Sequence, residues 1–209
     1  MSATRPAVGR PRAFDVEEAL DRAMHVFWHQ GYDGASLATL TRAMGISRPS
    51  LYSAFGDKQS LFLKALDRYD AVPAAYVREA LAEPTARGFV ERLLRGAADM
   101  QTDPATPPGC LMVQGALVGG DGAAAVRQEV NERRAAGEAM VRRRLRRARA
   151  EGELPEGTDP DGLALYVVTV IRGMAVQASG GATRADLEGV IRTALRAWPA
   201  RPRKRRRAR

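Results

Sequence analysis

The chain has 209 residues, with 33 Lys and Arg against 24 Asp and Glu, a formal net charge of +9 and a single cysteine. That length supports one large domain or two small ones around real cores. The basic balance points to a polyanionic partner, and the lone Cys110 excludes an intramolecular disulfide framework and fits a reducing compartment.

No charged start followed by an apolar run lies near Met1, so no secretory signal is visible. The most apolar segment, 163–178, is shorter than the roughly 20 residues of a spanning helix and contains Arg172. A soluble cytoplasmic protein is the expectation. Arg5, Arg10 and Arg12 near the start, with six Arg and Lys204 in the last twelve residues, supply more positive charge than the whole chain's net. The body between the two ends is therefore near neutral.

In chain order, the periodicity is helical almost throughout. Asp15 and Glu18 make a capping box, Phe14 can pack on Ala19, and Leu20, Ala23, Met24 and Phe27 mark an apolar stripe that Gly31 closes. Ser36 caps a second helix with Leu37, Leu40 and Ala43 or Met44 inward, ending at Gly45. Ser47 caps a third, with Pro49 in its first turn, and Asp57 caps a long fourth running toward Leu81 with a kink at Pro73. Beyond Pro84 the expected helices are longer. One carries Phe89, Leu93, Leu94 and Ala97 and stops at the loop 102–109. Others run from Cys110 to about Val118, from about Asp121 to Glu151, from Asp159 and Pro160 through Met174, and from about Arg184 to Trp198. The expected fold class is all-α.

Two short helices joined through "AMGIS" form a helix-turn-helix, in which the second helix enters the major groove. That register presents Arg48, Pro49, Ser50, Tyr52 and Ser53 as groove or phosphate contacts, with Leu51 and Phe55 toward the core. Arg48 can offer two donors to guanine, and Tyr52 has the reach for a backbone oxygen. Ser36 and Lys58, at neighbouring helix starts, complete the expected contact set.

Residues 10–66 resemble the DNA-binding domain of a TetR-family transcriptional regulator. The resemblance is carried by Phe27, Gly31, Tyr32, Ser36, Leu40, Gly45, Ile46, Ser47, Leu51, Tyr52, Phe55 and Lys58. Residues 67–198 are similar to the family in helical architecture. The resemblance implies a basic arm (1–12), a helix-turn-helix domain (13–60), a helical effector-binding and dimerisation domain (61–198) and a basic tail (199–209). It also implies a homodimer on a near-palindromic double-stranded operator, released by a small-molecule effector. Repression is the expected sign of regulation.

The arm, with Arg10 and Arg12, either reaches a minor groove or phosphates or is a solubilising extension. Val168, Ala175, Leu187, Ile191 and Leu195 are candidates for a four-helix dimer interface, and ordinary intrachain core is the alternative. Tyr69, Val72, Tyr76, Phe89, Leu93, Met100, Met112, Val113, Met140, Tyr166, Val170 and Met174 are candidates for the wall of an effector cavity. Their composition suits a hydrophobic compound.

Cys110 follows two prolines and a glycine at a helix start, where the dipole lowers a thiol's pKa. A thiol-based electrophile or oxidant sensor of the same fold, acting through Cys110, is thus an alternative to non-covalent effector binding, and a buried, inert cysteine is the reading favoured over it. His25 and His29 stand four apart, but no third ligand accompanies them, so no metal is expected. No nucleophile motif or phosphate loop supports an enzyme, and no cofactor is expected. The basic run 142–153 reads as a solvated helix face. A non-specific nucleic-acid-coating protein dominated by its basic ends is the competing class.

Overall fold

The computed structural model describes residues 14–114 and 123–199, and every regular element among them is helical. The arm 1–12, including Arg10 and Arg12, and residues 200–209 of the tail lie outside the described residues. So do the expected end at Val118 and start at Asp121.

Helix α1 (Val16–Gly34) begins where Asp15 accepts hydrogen bonds from the amides of Glu17 and Glu18. Glu18 turns forward to Arg22 at 2.5 Å rather than back to the cap. Gly31 breaks helical geometry at φ 68° and ψ 175°, yet a last turn resumes beyond it. Helix α2 (Leu37–Met44) starts under Ser36 and ends at Gly45, whose φ of 68° and ψ of 28° is the left-handed conformation that glycine adopts without a Cβ penalty. Helix α3 (Arg48–Phe55) starts under Ser47, with Pro49 in the first turn, where no helical N–H is needed. Helix α4 (Lys58–Ala71) is capped by Asp57 and ends sooner than expected. Pro73 opens a 3-10 turn, Pro73–Ala75, that hands the chain to α5 (Tyr76–Leu81), so the single kinked helix is two separate ones.

The remaining helices are α6 (Ala86–Gln101), α7 (Leu111–Gln114), α8 (Ala124–Ala150), α9 (Pro160–Ser179) and α10 (Arg184–Arg196). Thr183 and Asp186 form a reciprocal capping box at the start of α10, which the sequence reading missed. Gly96 in α6 admits α5, because a Cβ there would lie 2.6 Å from the Tyr76 side chain.

Two apolar cores form. The first gathers Phe27, Trp28, Leu40, Leu51, Phe55, Phe62, Leu66 and Tyr69 from α1–α4, and adds Leu111, Val126 and Val130 from α7 and α8. The second joins α6, α8, α9 and α10 through Phe89, Leu93, Leu94, Leu145, Val167, Met174, Leu187 and Ile191. Each such large side chain contributes on the order of 1.5–3 kcal/mol when fully buried. The helix-turn-helix is thus packed into the same core as α4, α7 and the start of α8.

The basic run on α8 is not a uniformly solvated face. Arg142, Arg146 and Arg147 pair with Glu138, Asp161 and Glu151. Arg144 is only 4% exposed. It donates to Glu153 at 3.1 Å and to the Pro84 carbonyl at 3.3 Å, and its guanidinium lies 5.9 Å from the Phe89 ring centroid. Glu153 also accepts from the Ala86 amide at 2.5 Å, so this pair bolts the end of α8 to the start of α6.

Candidate nucleic-acid interface and effector cavity

On α3, Leu51 and Phe55 are buried while Arg48, Pro49, Tyr52 and Ser53 are exposed, Tyr52 by 51%. The helix therefore turns the expected reading face outward. Arg48 makes no ion pair among the described residues, and neither does Arg42 in the last turn of α2. The sequence reading missed Arg42, although its place opposite the buried Leu40 and Met44 marks it as outward. Ser50 and Ser36 have local tasks. The Ser50 hydroxyl lies 2.9 Å from that of Ser47, and Ser36 accepts from the Thr39 amide at 3.0 Å. Lys58 is less free than its place in the first turn of α4 suggested. Its ammonium sits over the Tyr32 ring, 4.5 Å from the centroid, and burial draws its pKa below the ordinary lysine value.

A cavity of about 200 Å³ lies between α4, α5, α6, α7, α8 and α9. Its wall includes Tyr69, Tyr76, Leu93, Cys110, Met112, Val113 and Met140 from the expected set. Gln101, Arg133, Arg134, Glu138, Ile171 and Arg172 also line it. Sequence reasoning passed over the five polar residues among these because polar and charged positions on a helix default to solvent.

Phe89 and Met174 are fully enclosed in the second core, and Val170 packs against that core; none of the three lines the cavity. Val72 is exposed at the end of α4, and Met100 packs against the first core. Tyr166 is 41% exposed on the outer side of α9, beside a surface depression that also borders Leu163 and Ala197. That depression is larger, at about 520 Å³, but it is more open to solvent and has less apolar wall, so the smaller cavity is the better ligand site.

Tyr69 belongs to both the cavity wall and the first core. Its ring meets Trp28 of α1 edge-on, with centroids 4.9 Å apart. Its hydroxyl donates to Cys110 Sγ at 3.1 Å, with Met100 Sδ at 3.4 Å as a second acceptor. Burial raises the Cys110 thiol above its ordinary pKa, outweighing the Tyr69 hydroxyl and the Val113 and Met112 amides that favour thiolate. A single-turn α7 does not lower the thiol against that burial, which favours the inert cysteine over the sensor.

The family profile of bacterial regulatory proteins of the tetR family matches residues 19–65. The tetracyclin repressor-like C-terminal domain matches residues 85–198, more than half of the chain. The chain belongs to the TetR family. It is 33% identical over 193 residues to the HTH-type transcriptional repressor ComR of Escherichia coli (strain K12), covering 91% of this chain and 92% of ComR. A cysteine mutant of the TetR-family regulator CifR, solved with 26-bp double-strand operator DNA, shares 45% identity and a TM-score of 0.87, covering 91% of this chain and all of that one. A TetR regulator from Rhodococcus sp. RHA1 shares 38% identity at a TM-score of 0.57 over 88% of this chain. This TetR-family member is a DNA-binding transcriptional regulator with α2 and α3 as its helix-turn-helix.

The candidate dimer residues of this TetR regulator face the interior of the single chain. Val168, Ala175, Leu187, Ile191 and Leu195 are all at most 9% exposed within one chain, and Val168 also lines the cavity. On a helix as apolar as α9, periodicity cannot tell which apolar arc faces inward. The outward apolar positions are Leu165, Tyr166 and Val176 of α9 and Val190 of α10. Helix α9 has 20 residues and contains an 18-residue stretch apolar enough to cross a membrane by length and composition, contrary to the shorter estimate from sequence. Only 33% of its apolar window is buried in the chain.

Proposed function

We propose that this TetR-family regulator is a cytoplasmic, non-catalytic repressor that binds a near-palindromic operator as a homodimer and releases it when a small, mainly apolar effector enters the cavity. The observation that carries the DNA reading is the exposed Arg48 at the start of α3, without an ion pair among the described residues and flanked outward by Pro49, Tyr52 and Ser53. Arg48 supplies a bidentate donor to a guanine edge, and Tyr52 with Arg42 holds the phosphate backbone. One helix of eight residues reads few base pairs, so two copies set about 34 Å apart by a two-fold axis supply operator-level specificity.

The dimer face is the outward side of α9 and α10, with Leu165, Tyr166, Val176 and Val190. Gly173 lies on the same side with no neighbouring atom within 4 Å of a Cβ position, leaving the backbone open to close approach. Effector coupling runs through Tyr69, which touches the ligand space on one side and Trp28 of the DNA-side core on the other. A ligand that moves Tyr69 shifts the population away from the spacing that fits two half-sites. Cys110 acts as a wall residue, because its raised pKa keeps the thiol protonated at neutral pH.

A gel shift on DNA upstream of the protein's own gene, with and without residues 199–209, tests this reading against non-specific coating. The regulator keeps its sequence preference without the tail. Loss of all sequence preference on truncation supports coating instead.

A further inference from the structure

The effector cavity proposed above has charge and hydrogen-bonding features that narrow what it takes, and the following inference rests on that reading. Three arginines reach the wall, but they are not equally neutralised. Arg133 is saturated, donating to Asp67 at 2.6 Å, Asp70 at 2.9 Å and Glu129 at 2.6 Å. Glu138 is held by Arg142 at 2.7 Å and only loosely approached by Arg172 at 3.9 Å. Arg172 otherwise reaches the backbone carbonyl of Arg134 at 3.4 Å. Arg134 makes no ion pair among the described residues. Burial and the neighbouring Arg134 charge pull Arg172 below its ordinary pKa, and Glu138, shared with Arg142, offsets them only in part.

An independent observation comes from Gln101. It has no solvent exposure and lines the cavity. Its Nε2 donates to the Ile171 carbonyl at 3.2 Å, while Oε1 is buried with no donor. A buried acceptor without a partner is costly unless a ligand supplies the donor. The rest of the wall is Leu93, Met112, Val113, Met140 and Val168. At about 200 Å³ the space is below the range for drug-sized compounds.

We infer that the effector is a small apolar hydroxy acid, its carboxylate on Arg134 and Arg172 and its hydroxyl donating to Gln101 Oε1. A guanidinium pair matches a carboxylate with parallel N–H donors and repels an amine. The apolar wall takes the hydrocarbon body.

The test uses the full chain with Trp198→Phe, which leaves Trp28, packed on Tyr69, as the reporting indole. Trp28 emission is titrated with 3-hydroxyoctanoate, octanoate, 1-octanol and octylamine. The acids are expected to bind roughly tenfold or more tightly than the alcohol, since a charge-assisted hydrogen bond carries at least that ratio. Arg134→Gln should erase that preference and Arg134→Lys should restore part of it. Gln101→Leu should bring 3-hydroxyoctanoate down to the affinity of octanoate. Arg134 has no ion pair to lose, so an unchanged thermal midpoint certifies the folded variants.

If the alcohol binds as tightly as the acids, or if the acid preference survives Arg134→Gln, the hydroxy-acid assignment is overturned while the cavity stands as the effector site. If no probe alters Trp28 emission or the thermal midpoint, the cavity reading falls together with the assignment.

Discussion

Arg48 and Arg144 place the same guanidinium in opposite surroundings. Arg48 is exposed at the first position of α3, open to a polyanion. Arg144 is enclosed between Glu153 and Phe89, where its work is structural. Residues whose role is local were legible in the sequence. Ser36, Ser47, Asp57 and Asp159 cap their helices as expected, because a cap depends on amides two or three residues away. Arg144, Gln101 and Arg134 were not legible, because their partners or cavity come from helices distant in sequence. Cys110 gives a prediction at this scale. Burial raises its pKa, so iodoacetamide labelling should be slower than for a free cysteine at pH 7 and should climb only above the ordinary thiol range. Tyr69→Phe removes a hydrogen bond that favours thiolate and should slow labelling at a given pH unless it also opens the sulfur to solvent. Labelling at pH 7 as fast as free cysteine would contradict this account.

Among the elements, helix starts matched expectation better than helix ends or faces. Helix α4 stops at Ala71 because Pro73 removes a backbone donor, and Gly96 then lets α5 fold back over α6. The inward arc of α9 was illegible because nearly every arc of it is apolar. The Arg144–Glu153 pair, which fixes α8 to α6, carries a pH prediction. Burial pushes the Glu153 carboxyl up, but the Ala86 amide and Arg144 together hold it below the ordinary glutamate value. A carboxylate whose folded pKa is lowered stabilises fully above the unfolded value and loses that contribution as pH falls through the folded one. Glu153→Gln should therefore cost about 2 kcal/mol at pH 7, after allowance for partial exposure of the carboxylate. Urea melts of both proteins should draw together progressively as pH falls below the reference glutamate pKa of about 4.3. A difference independent of pH would assign the loss to packing.

For the whole molecule, the two cores meet at α4, α7 and α8, so the cavity proposed for the effector shares Tyr69 with the first core. The all-helical fold and the helix-turn-helix were legible from spacing and caps. The outward side of α9 was not, because it is defined only once its buried side is known. Val176 is 57% exposed, so Val176→Asp should leave the fold intact and shift sedimentation from dimer to monomer. A mutant that stays dimeric would place the interface elsewhere.

The most direct test of the central claim is a footprint on DNA upstream of the protein's gene and its neighbours, with Arg48→Ala alongside. If α3 is the base reader of a two-fold dimer, the native protein protects a near-palindromic site and the mutant loses affinity for it by roughly tenfold or more, as expected for a lost bidentate guanine contact. Diffuse, salt-sensitive protection that ignores Arg48 would contradict the assignment.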